Sequence, residues 1–228
     1  MSCSRTERMT LPDADLLARG SLQSVYRHPF DPALVVKVIR PEAAARRAAR
    51  ADRPLRRFLS LLAPSRRRFR AYRSWQLQEQ EYLAIVARIG AIPAFLPRPG
   101  GYVATRLGPG LVSERINGAD GELAPTMREA LKQTNNRGTL QALAEHLLDQ
   151  LLEARAMFND LHASNVVVES STDGGERLVL IDGLRADTTL LPLRTLSDRA
   201  YRYWFSRNRE RFRARLLNPG LKRTSARR

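Results

Sequence analysis

Short apolar runs separated by turn residues mark the first forty positions of the chain. Residues 25–27 and 34–39 are β-type runs, and the second is rich in β-branched side chains. Residues 20–24 form a glycine-containing turn, and residues 28–32 form a second turn with two prolines. Runs of this kind between glycine and proline predict strands, so we expect an antiparallel meander that includes residues 14–19.

Helical patterns follow the meander. Residues 42–51 and 53–63 are rich in Ala, Arg and Leu, which favour helices. In the second segment one face is apolar and the other carries arginines. Such a helix packs on its own protein or lies on an anionic membrane surface. Residues 75–89 predict a further helix, which ends before Gly90 and Pro93.

The rest of the chain predicts two hairpins set among helices. Turn residues divide each hairpin, and leucines at helical spacing mark the longest helix. In chain order the expected elements are strands 101–106 and 111–116 around a turn at 107–110, a loop at 117–121, helices 126–134 and 139–157, strands 166–168 and 178–181, and helix from about 196.

Length and composition indicate a globular protein. The 228 residues, 43% of them hydrophobic, predict one domain over 1–228 that buries a sizeable core. The single cysteine, Cys3, excludes an intrachain disulfide framework and a cysteine-based zinc site. We find neither an apolar run of the ~18 residues that span a bilayer nor an apolar signal core. A cytoplasmic protein is expected.

The formal net charge of +16 is concentrated in two segments. Residues 40–75 hold twelve arginines and two acids, and residues 194–228 hold twelve basic residues and two acids. Each segment can attract an anionic partner, such as a phosphate-bearing substrate, an anionic membrane lipid, lipopolysaccharide or nucleic acid. Alternatively, each is a solvated helix face. Nearly all basic residues are arginine, so a lysine inside a predicted strand stands out.

Three short motifs fall on the predicted elements in the order found in protein kinases. Lys37 ends a Val-Val-Lys run, residues 160–165 read Asp-Leu-His-Ala-Ser-Asn, and Asp182-Gly183 follows the last predicted strand. They resemble the V-A-I-K strand, the D-L-x-x-x-N catalytic loop and the D-F-G segment. Each motif alone is weak, and their order on the expected elements is what predicts a kinase-like fold.

The fold class that these motifs predict is α+β, with the two lobes of a protein kinase. A small β-rich N-lobe is expected over about 12–116, with a basic insertion at 41–75, and a truncated helical C-lobe over about 121–228. Ile116 and Gly118 lie on the connection between the lobes. The adenine of ATP is expected to dock on the backbone there.

Phosphoryl transfer explains the residue types at the other positions. Magnesium needs oxygen ligands, which the Asp182 carboxylate and the Asn165 amide carbonyl can supply. Asp160 suits the role of a base that relieves an acceptor hydroxyl of its proton. His162 occupies the place where many protein kinases have a lysine; it either touches the γ-phosphate or the acceptor, or only stabilises the loop.

The phosphates of ATP would meet a turn and a lysine. In a turn, backbone N–H groups can approach phosphate, and the residues expected to contribute are Gly20, Ser21 and Ser24. Lys37 would orient the phosphates while paired with a glutamate of the helix at 75–89. Glu81 is the favoured partner, and Glu79 is the alternative.

A closer resemblance covers residues 15–215. Gly20 with residues 25–29, Val36-Lys37-Val38, and residues 108–112, 161–167 and 189–193 resemble the YrbL family of PhoP regulatory network proteins, a bacterial branch of the protein-kinase-like superfamily. The family name refers to regulation in a magnesium- and envelope-stress response. The resemblance therefore implies a kinase-like fold, without a defined substrate. Segment 41–75 is longer and richer in arginine than the resemblance leads us to expect.

Departures from active protein kinases shape the expected function. Phe158 and Asn159 replace the His-Arg pair before the catalytic Asp, the D-F-G phenylalanine is missing, and 46 residues follow Asp182. We therefore expect a phosphotransferase that uses ATP and Mg²⁺ on a non-protein hydroxyl, such as a small molecule, sugar or glycolipid. One alternative is a pseudokinase that senses ATP or Mg²⁺. The other is a basic binder of nucleic acid or anionic surfaces. The small number of aromatic residues and the lack of a nucleic-acid-binding motif in the sequence count against it.

Overall fold

A computed structural model describes residues 8–51, 68–133, 137–170, 174–185 and 197–217. The expected α+β class is confirmed, with an antiparallel sheet in the N-terminal part and helices later. Contacts divide the chain into two compact units. The first comprises Met1–Gln76 and Pro97–Ile116, and the second comprises Leu77–Leu96 and Asn117–Arg228.

The first unit is built on a five-stranded antiparallel sheet. Its strands are β1 (Leu16–Arg19), β2 (Gln23–Arg27), β3 (Leu34–Ile39), β4 (Pro99–Thr105) and β5 (Gly108–Glu114). The strand order is β1-β2-β3-β5-β4, so β3 lies at the centre. All residues from Val35 to Ile39 are buried, in keeping with the run of β-branched residues there. The predicted meander is confirmed.

The hairpin between β4 and β5 corrects one expectation. The turn was expected at 107–110, but Gly108 already begins β5. The Thr105 hydroxyl donates to the Gly108 carbonyl and accepts from the Leu107 N–H, which closes a shorter turn. A Cβ on Gly110 would lie 2.7 Å from a valine side chain of β3, so this glycine allows close strand packing instead of marking the turn.

Two helices lie between β3 and β4 in the chain. Helix α1 spans Pro41–Ala51, and the predicted helix at 53–63 lies outside the described residues. Helix α2 spans Arg73–Ile89, close to the predicted bounds, and the division between units falls within it. Gly90 follows with a φ of 72°, a conformation that glycine adopts without a steric cost and that ends helices.

The second unit is mainly helical. Its further elements are α3 (Met127–Gln133), α4 (Arg137–Glu153), the antiparallel strands β6 (Val166–Ser170) and β7 (Glu176–Leu180), and α5 (Asp198–Leu217). One apolar cluster joins them, and its most deeply buried members include Met127, Leu148, Leu151, Val166 and Phe158. The capping box of Thr126 and Glu129 starts α3 through reciprocal hydrogen bonds.

The end of α4 corrects a second expectation. The helix was expected to continue to 157, but it stops at Glu153. Arg155 takes a left-handed φ of 50°, the Ala156 N–H donates to the Leu151 carbonyl, and the Arg155 N–H donates to Leu152. This is a Schellman ending with arginine in the position that glycine usually takes. Because no glycine marks this helix end, the leucine spacing predicted a helix that was too long.

Helix α5 closes the second unit by packing and by charge. Tyr201, Phe205 and Phe212 are buried against the core. On the partly exposed side, the Glu145 carboxylate of α4 accepts from Arg209 and Arg213, which lowers the pKa of Glu145 to about 2. Among the described residues, no helix is both long and apolar enough to cross a membrane.

Candidate functional site

The first unit places Lys37 in the centre of its sheet. Lys37 pairs with Val25 on β2 and with Leu111 on β5. It is only 7% exposed, within a strand whose neighbouring residues are all buried. A lysine is almost never buried to this extent without a partner that compensates its charge. This burial sets Lys37 apart from a surface strand lysine.

The glycine turn of the first unit joins β1 to β2. The Gly20 N–H donates to the Gln23 carbonyl over 2.9 Å, and the Arg40 guanidinium donates to the Gly20 carbonyl over 3.1 Å. Ser21 is exposed in the turn, whereas Ser24 is buried in β2. Of the turn residues predicted to bind phosphate, only the first two therefore lie in the turn itself, and their role stays a prediction.

The residues predicted to hold adenine lie at the end of one unit and the start of the other. Ile116 is 5% exposed and is the last residue of the first unit. Gly118 is buried in the second unit, where its N–H donates to the Glu122 carbonyl over 2.9 Å. A Cβ at Gly118 would lie 3.2 Å from the Pro125 ring, so a larger residue would crowd this loop. Nucleotide binding here stays a prediction.

The second unit holds the loop at 157–165 beside the segment at 181–185. Three main-chain hydrogen bonds connect the loop with this segment: Asn159 N–H to Gly183 O (3.1 Å), Arg185 N–H to Met157 O (2.8 Å) and Ile181 N–H to Asn165 O (2.9 Å). A fourth bond, from Asn165 Nδ2 to Asp160 O (2.8 Å), lies within the loop. The predicted residues Asp160, Asn165 and Asp182 are therefore brought together by main-chain pairing.

Gly183 is required at the contact between these two segments. Its φ is 92°, and a Cβ there would lie 2.7 Å from the carbonyl oxygen of Asp160. No side chain fits at that distance, and the backbone conformation is one that L-residues rarely adopt. The glycine after Asp182 thus has a physical role that the Asp-Gly motif alone did not define.

Asp182 and Asn165 present the oxygen ligands that magnesium prefers. Asp182 Oδ1 accepts the Gly183 N–H over 2.7 Å, which orients the carboxylate. The Asn165 amide nitrogen donates to Asp160, which leaves the amide's carbonyl oxygen at its other end. Within the described ranges, no cluster of three His, Cys, Asp or Glu could hold a metal. The donor set fits Mg²⁺, which binds through few protein oxygens together with substrate phosphates.

His162 lies against Asp160 within the same loop. Its Nε2 is 3.4 Å from Asp160 Oδ2, and its Nδ1 accepts the Ser164 N–H over 3.2 Å. The side chain of Asp160 is 48% exposed and that of His162 is 21% exposed. A carboxylate with this exposure can be reached by a substrate, whereas the imidazole is mostly enclosed. The two alternatives for His162, contact with the γ-phosphate or acceptor and stabilisation of the loop, both stay predictions.

Glu81 is the buried glutamate of α2. It is 5% exposed, and its Oε1 accepts the Met157 N–H over 2.7 Å. Burial raises the pKa of Glu81 to about 7, against the lowering effects of that hydrogen bond and of Arg88. Burial also raises the pKa of Glu79, the alternative partner of Lys37, although Glu79 is less enclosed. The pairing of Lys37 with either glutamate stays a prediction.

Phe158 has a structural role where protein kinases have the histidine of His-Arg-Asp. It is 1% exposed, and its ring lies 4.9 Å from the Trp204 ring and 5.7 Å from the Phe205 ring. The position two residues before Asp160 is therefore an apolar anchor against α5. Met157, the preceding residue, donates its main-chain N–H to Glu81. The sequence could not predict this contact, because any residue at position 157 other than proline has the same donor.

One family model and three solved structures are similar to the chain. A family model described as PhoP regulatory network protein YrbL matches residues 9–217. Three crystal structures of mutant forms of the Mycobacterium tuberculosis PknI kinase domain are similar to the chain, at 17%, 17% and 18% identity with TM-scores of 0.47, 0.45 and 0.47. The matches cover 84% of this chain and 67%, 68% and 69% of those chains. No curated protein matches the chain.

Proposed function

The chain belongs to the YrbL family of PhoP regulatory network proteins, and from that premise we propose that it transfers the γ-phosphoryl group of Mg-ATP to a hydroxyl of a non-protein acceptor. The observation that carries the proposal is the pairing of the loop at 157–165 with the segment at 181–185. This pairing brings one candidate base and two candidate metal ligands together. Phosphoryl transfer needs such positioning more than it needs covalent chemistry.

In the proposed reaction the acceptor oxygen forms a bond to the γ-phosphorus while the bond to the bridging oxygen breaks. ADP leaves with that oxygen, and the proton of the acceptor hydroxyl passes to the Asp160 carboxylate. The 48% exposure of the Asp160 side chain supports this role, because an acceptor must reach it.

Magnesium would be held by Asp182 and Asn165 and would neutralise the charge of the phosphates. Lys37 would orient the same phosphates, and the turn at Gly20 would cover them. The burial of Lys37 supports its role, since ionisable groups in unusual environments cluster at functional sites. Adenine would dock at the backbone of residues 116–118.

Exposed arginines on α5 support an anionic acceptor. Arg207, Arg211 and Arg215 follow at every fourth residue, about 6 Å apart along the helix; Arg199 lies eight residues before Arg207, and all four are exposed. Tyr203, 64% exposed, lies in the same row and accepts a hydrogen bond from Arg207. Such a row attracts phosphate or carboxylate groups of a substrate or of an anionic membrane surface.

The nucleotide site is tested first by thermal shift with ATP, with and without Mg²⁺. Ligand at 100 times its Kd adds about 2.7 kcal/mol, which is roughly 5–10 °C for a chain of this size. The shift should require Mg²⁺ and should disappear in Asp182→Ala. The matched control is Asp13→Ala, an exposed aspartate of the first unit, which should keep the full shift. No shift in the wild type would contradict the proposal.

Transfer is tested by following the γ-phosphate of labelled ATP into the lipid and water-soluble fractions of an envelope extract. Asp160→Asn should abolish labelling while it keeps the ATP shift. Equal labelling by wild type and variant would remove Asp160 as the base. An ATP shift without any labelling would instead favour a nucleotide-sensing pseudokinase.

The anionic acceptor is tested with the double variant Arg207→Gln with Arg211→Gln. We expect a several-fold higher KM for the acceptor and an unchanged thermal shift with ATP. Arg202→Gln is the control, because Arg202 is also exposed but is already paired with Asp198 over 2.7 Å. An equal effect of the control would show that general charge, and not this row of arginines, attracts the acceptor.

A further inference from the structure

We propose that His162 is a positioning residue for Asp160. The loop fixes the neutral imidazole with its proton on Nε2, and that N–H orients the Asp160 carboxylate towards the acceptor. The kinetic part of this inference rests on the proposed function. The structural part, the fixed tautomer, stands on the geometry of the loop alone.

The tautomer follows from the contact of Nδ1. The Ser164 N–H donates to His162 Nδ1 over 3.2 Å. A ring nitrogen that accepts a hydrogen bond carries no proton, and a neutral imidazole has a single N–H. The proton of the neutral ring therefore belongs to Nε2, so the backbone of the loop selects the tautomer.

The selected N–H lies beside the candidate base. Nε2 is 3.4 Å from Asp160 Oδ2, and an ionised carboxylate can only accept hydrogen bonds. Donor and acceptor are thus matched. The distance lies just beyond the usual hydrogen-bond range. Catalytic contacts are often this long without substrate and tighten when the substrate binds.

The backbone that carries the ring is held by two hydrogen bonds. The Asn165 N–H donates to the His162 carbonyl over 2.8 Å, and the Arg128 N–H donates to the next carbonyl, that of Ala163, over 3.0 Å. With only 21% of its side chain exposed, His162 has little room to turn. A fixed ring can restrict the rotation of the carboxylate beside it. Holding a base in the productive orientation is a large part of what positioning contributes to catalysis.

The chain contains a second histidine that serves as an internal reference. His28 Nδ1 accepts the N–H groups of Phe30 and Asp31, over 3.3 Å and 3.1 Å, in the turn before β3. The same argument assigns its proton to Nε2. The only other histidine is His146, so three ring systems in all need to be assigned.

The tautomer is tested by ¹⁵N NMR of the full chain, at a pH about two units above the usual imidazole pKa of ~6.5. The His162 signals are assigned by their loss in His162→Gln. We expect Nδ1 to be the unprotonated nitrogen in both His162 and His28. A proton on His162 Nδ1 would overturn the inference whether or not the protein transfers phosphate.

Two variants separate positioning of Asp160 from stabilisation of the loop. In His162→Asn, the amide oxygen can replace Nδ1 as the acceptor for Ser164, but no donor reaches Asp160. In His162→Gln, the amide N–H can replace Nε2–H, but the acceptor for Ser164 is lost. We expect His162→Asn to lower kcat at least tenfold with an unchanged KM for ATP, and His162→Gln to retain most of kcat.

Each outcome of this pair is informative when the melting temperatures are measured alongside. If His162→Gln loses as much kcat as His162→Asn, or more, the histidine only stabilises the loop and the inference fails. If the wild type transfers no phosphate while the NMR shows Nε2–H, the proposed function fails and the fixed tautomer stands. The two failures are therefore distinguishable.

Discussion

Replacing Glu81 with glutamine tests the electrostatics of the second unit directly. Glu81 is 5% exposed, and burial raises its pKa from 4.5 to about 7. The folded protein therefore binds a proton at this site over a pH range in which the unfolded chain does not. The stability contributed by this proton is fully present below pH 4.5 and is lost as the pH rises through 7.

The magnitude follows from the size of the shift. Each pKa unit corresponds to about 1.4 kcal/mol, so a rise from 4.5 to about 7 costs about 3 kcal/mol of stability above neutral pH. Glutamine stays uncharged at every pH, and its Oε1 can still accept the Met157 N–H. We expect Glu81→Gln to stabilise the protein by up to about 3 kcal/mol at alkaline pH and to change little at pH ~4.5.

The assay is urea unfolding of wild type and Glu81→Gln at about pH 4.5 and about pH 8.5, on either side of the titration range. Glu153→Gln is the control, because Glu153 is an exposed glutamate of α4 in the same unit. A variant that loses stability at the higher pH would refute the reasoning. That result would mean that the Glu81 carboxylate is ionised in the folded protein and stabilised by a cation.

Three further changes test the frame around the site. Gly183→Ala should lower the free energy of unfolding in urea by about 1–3 kcal/mol, because the new Cβ would meet Asp160 O at 2.7 Å. Gly174→Ala is the control: its φ is 79° but its surroundings are open, so it should lower the free energy of unfolding by about 1 kcal/mol. Glu145→Gln should flatten the acid limb of stability, because its depressed pKa contributes stability that is present above pH 4.5 and is lost as the pH falls to about 2. Thr126→Ala should lower stability by about 1 kcal/mol through loss of the helix cap. Equal losses in the two glycine variants, an unchanged acid limb or an unaltered Thr126 variant would each contradict the corresponding contact.

Local sequence patterns were sufficient for most of the fold. The β-branched run of β3 and the turns around it predicted the meander, and glycine predicted the end of α2. The errors arose where residues took unusual roles. Arg155 adopted a helix-ending conformation that patterns assign to glycine, and Gly110 served strand packing where glycine usually signals a turn.

Sequence patterns could propose the side chains of the candidate site, but not the backbone contacts that bring them together. Asp160, Asn165 and Asp182 could be selected from the order of motifs on the predicted elements. What holds them is main-chain pairing between two segments, together with a close approach at Gly183. Main-chain hydrogen bonds are available to every residue type, so no spacing of side chains announces them. The contact of Glu81 with a backbone N–H escaped prediction for the same reason.

The main-chain pairing of the loop with the 181–185 segment has an evolutionary consequence. Because backbone groups make most of these connections, a mutation at Asp160 or at Asp182 changes the chemistry while the loop keeps its path. Under the proposed function, a gene duplicate could exchange phosphate transfer for ligand sensing in one substitution, and a later reversion would find the frame intact. Gly183 has no such freedom, because a side chain there would meet the carbonyl oxygen of Asp160.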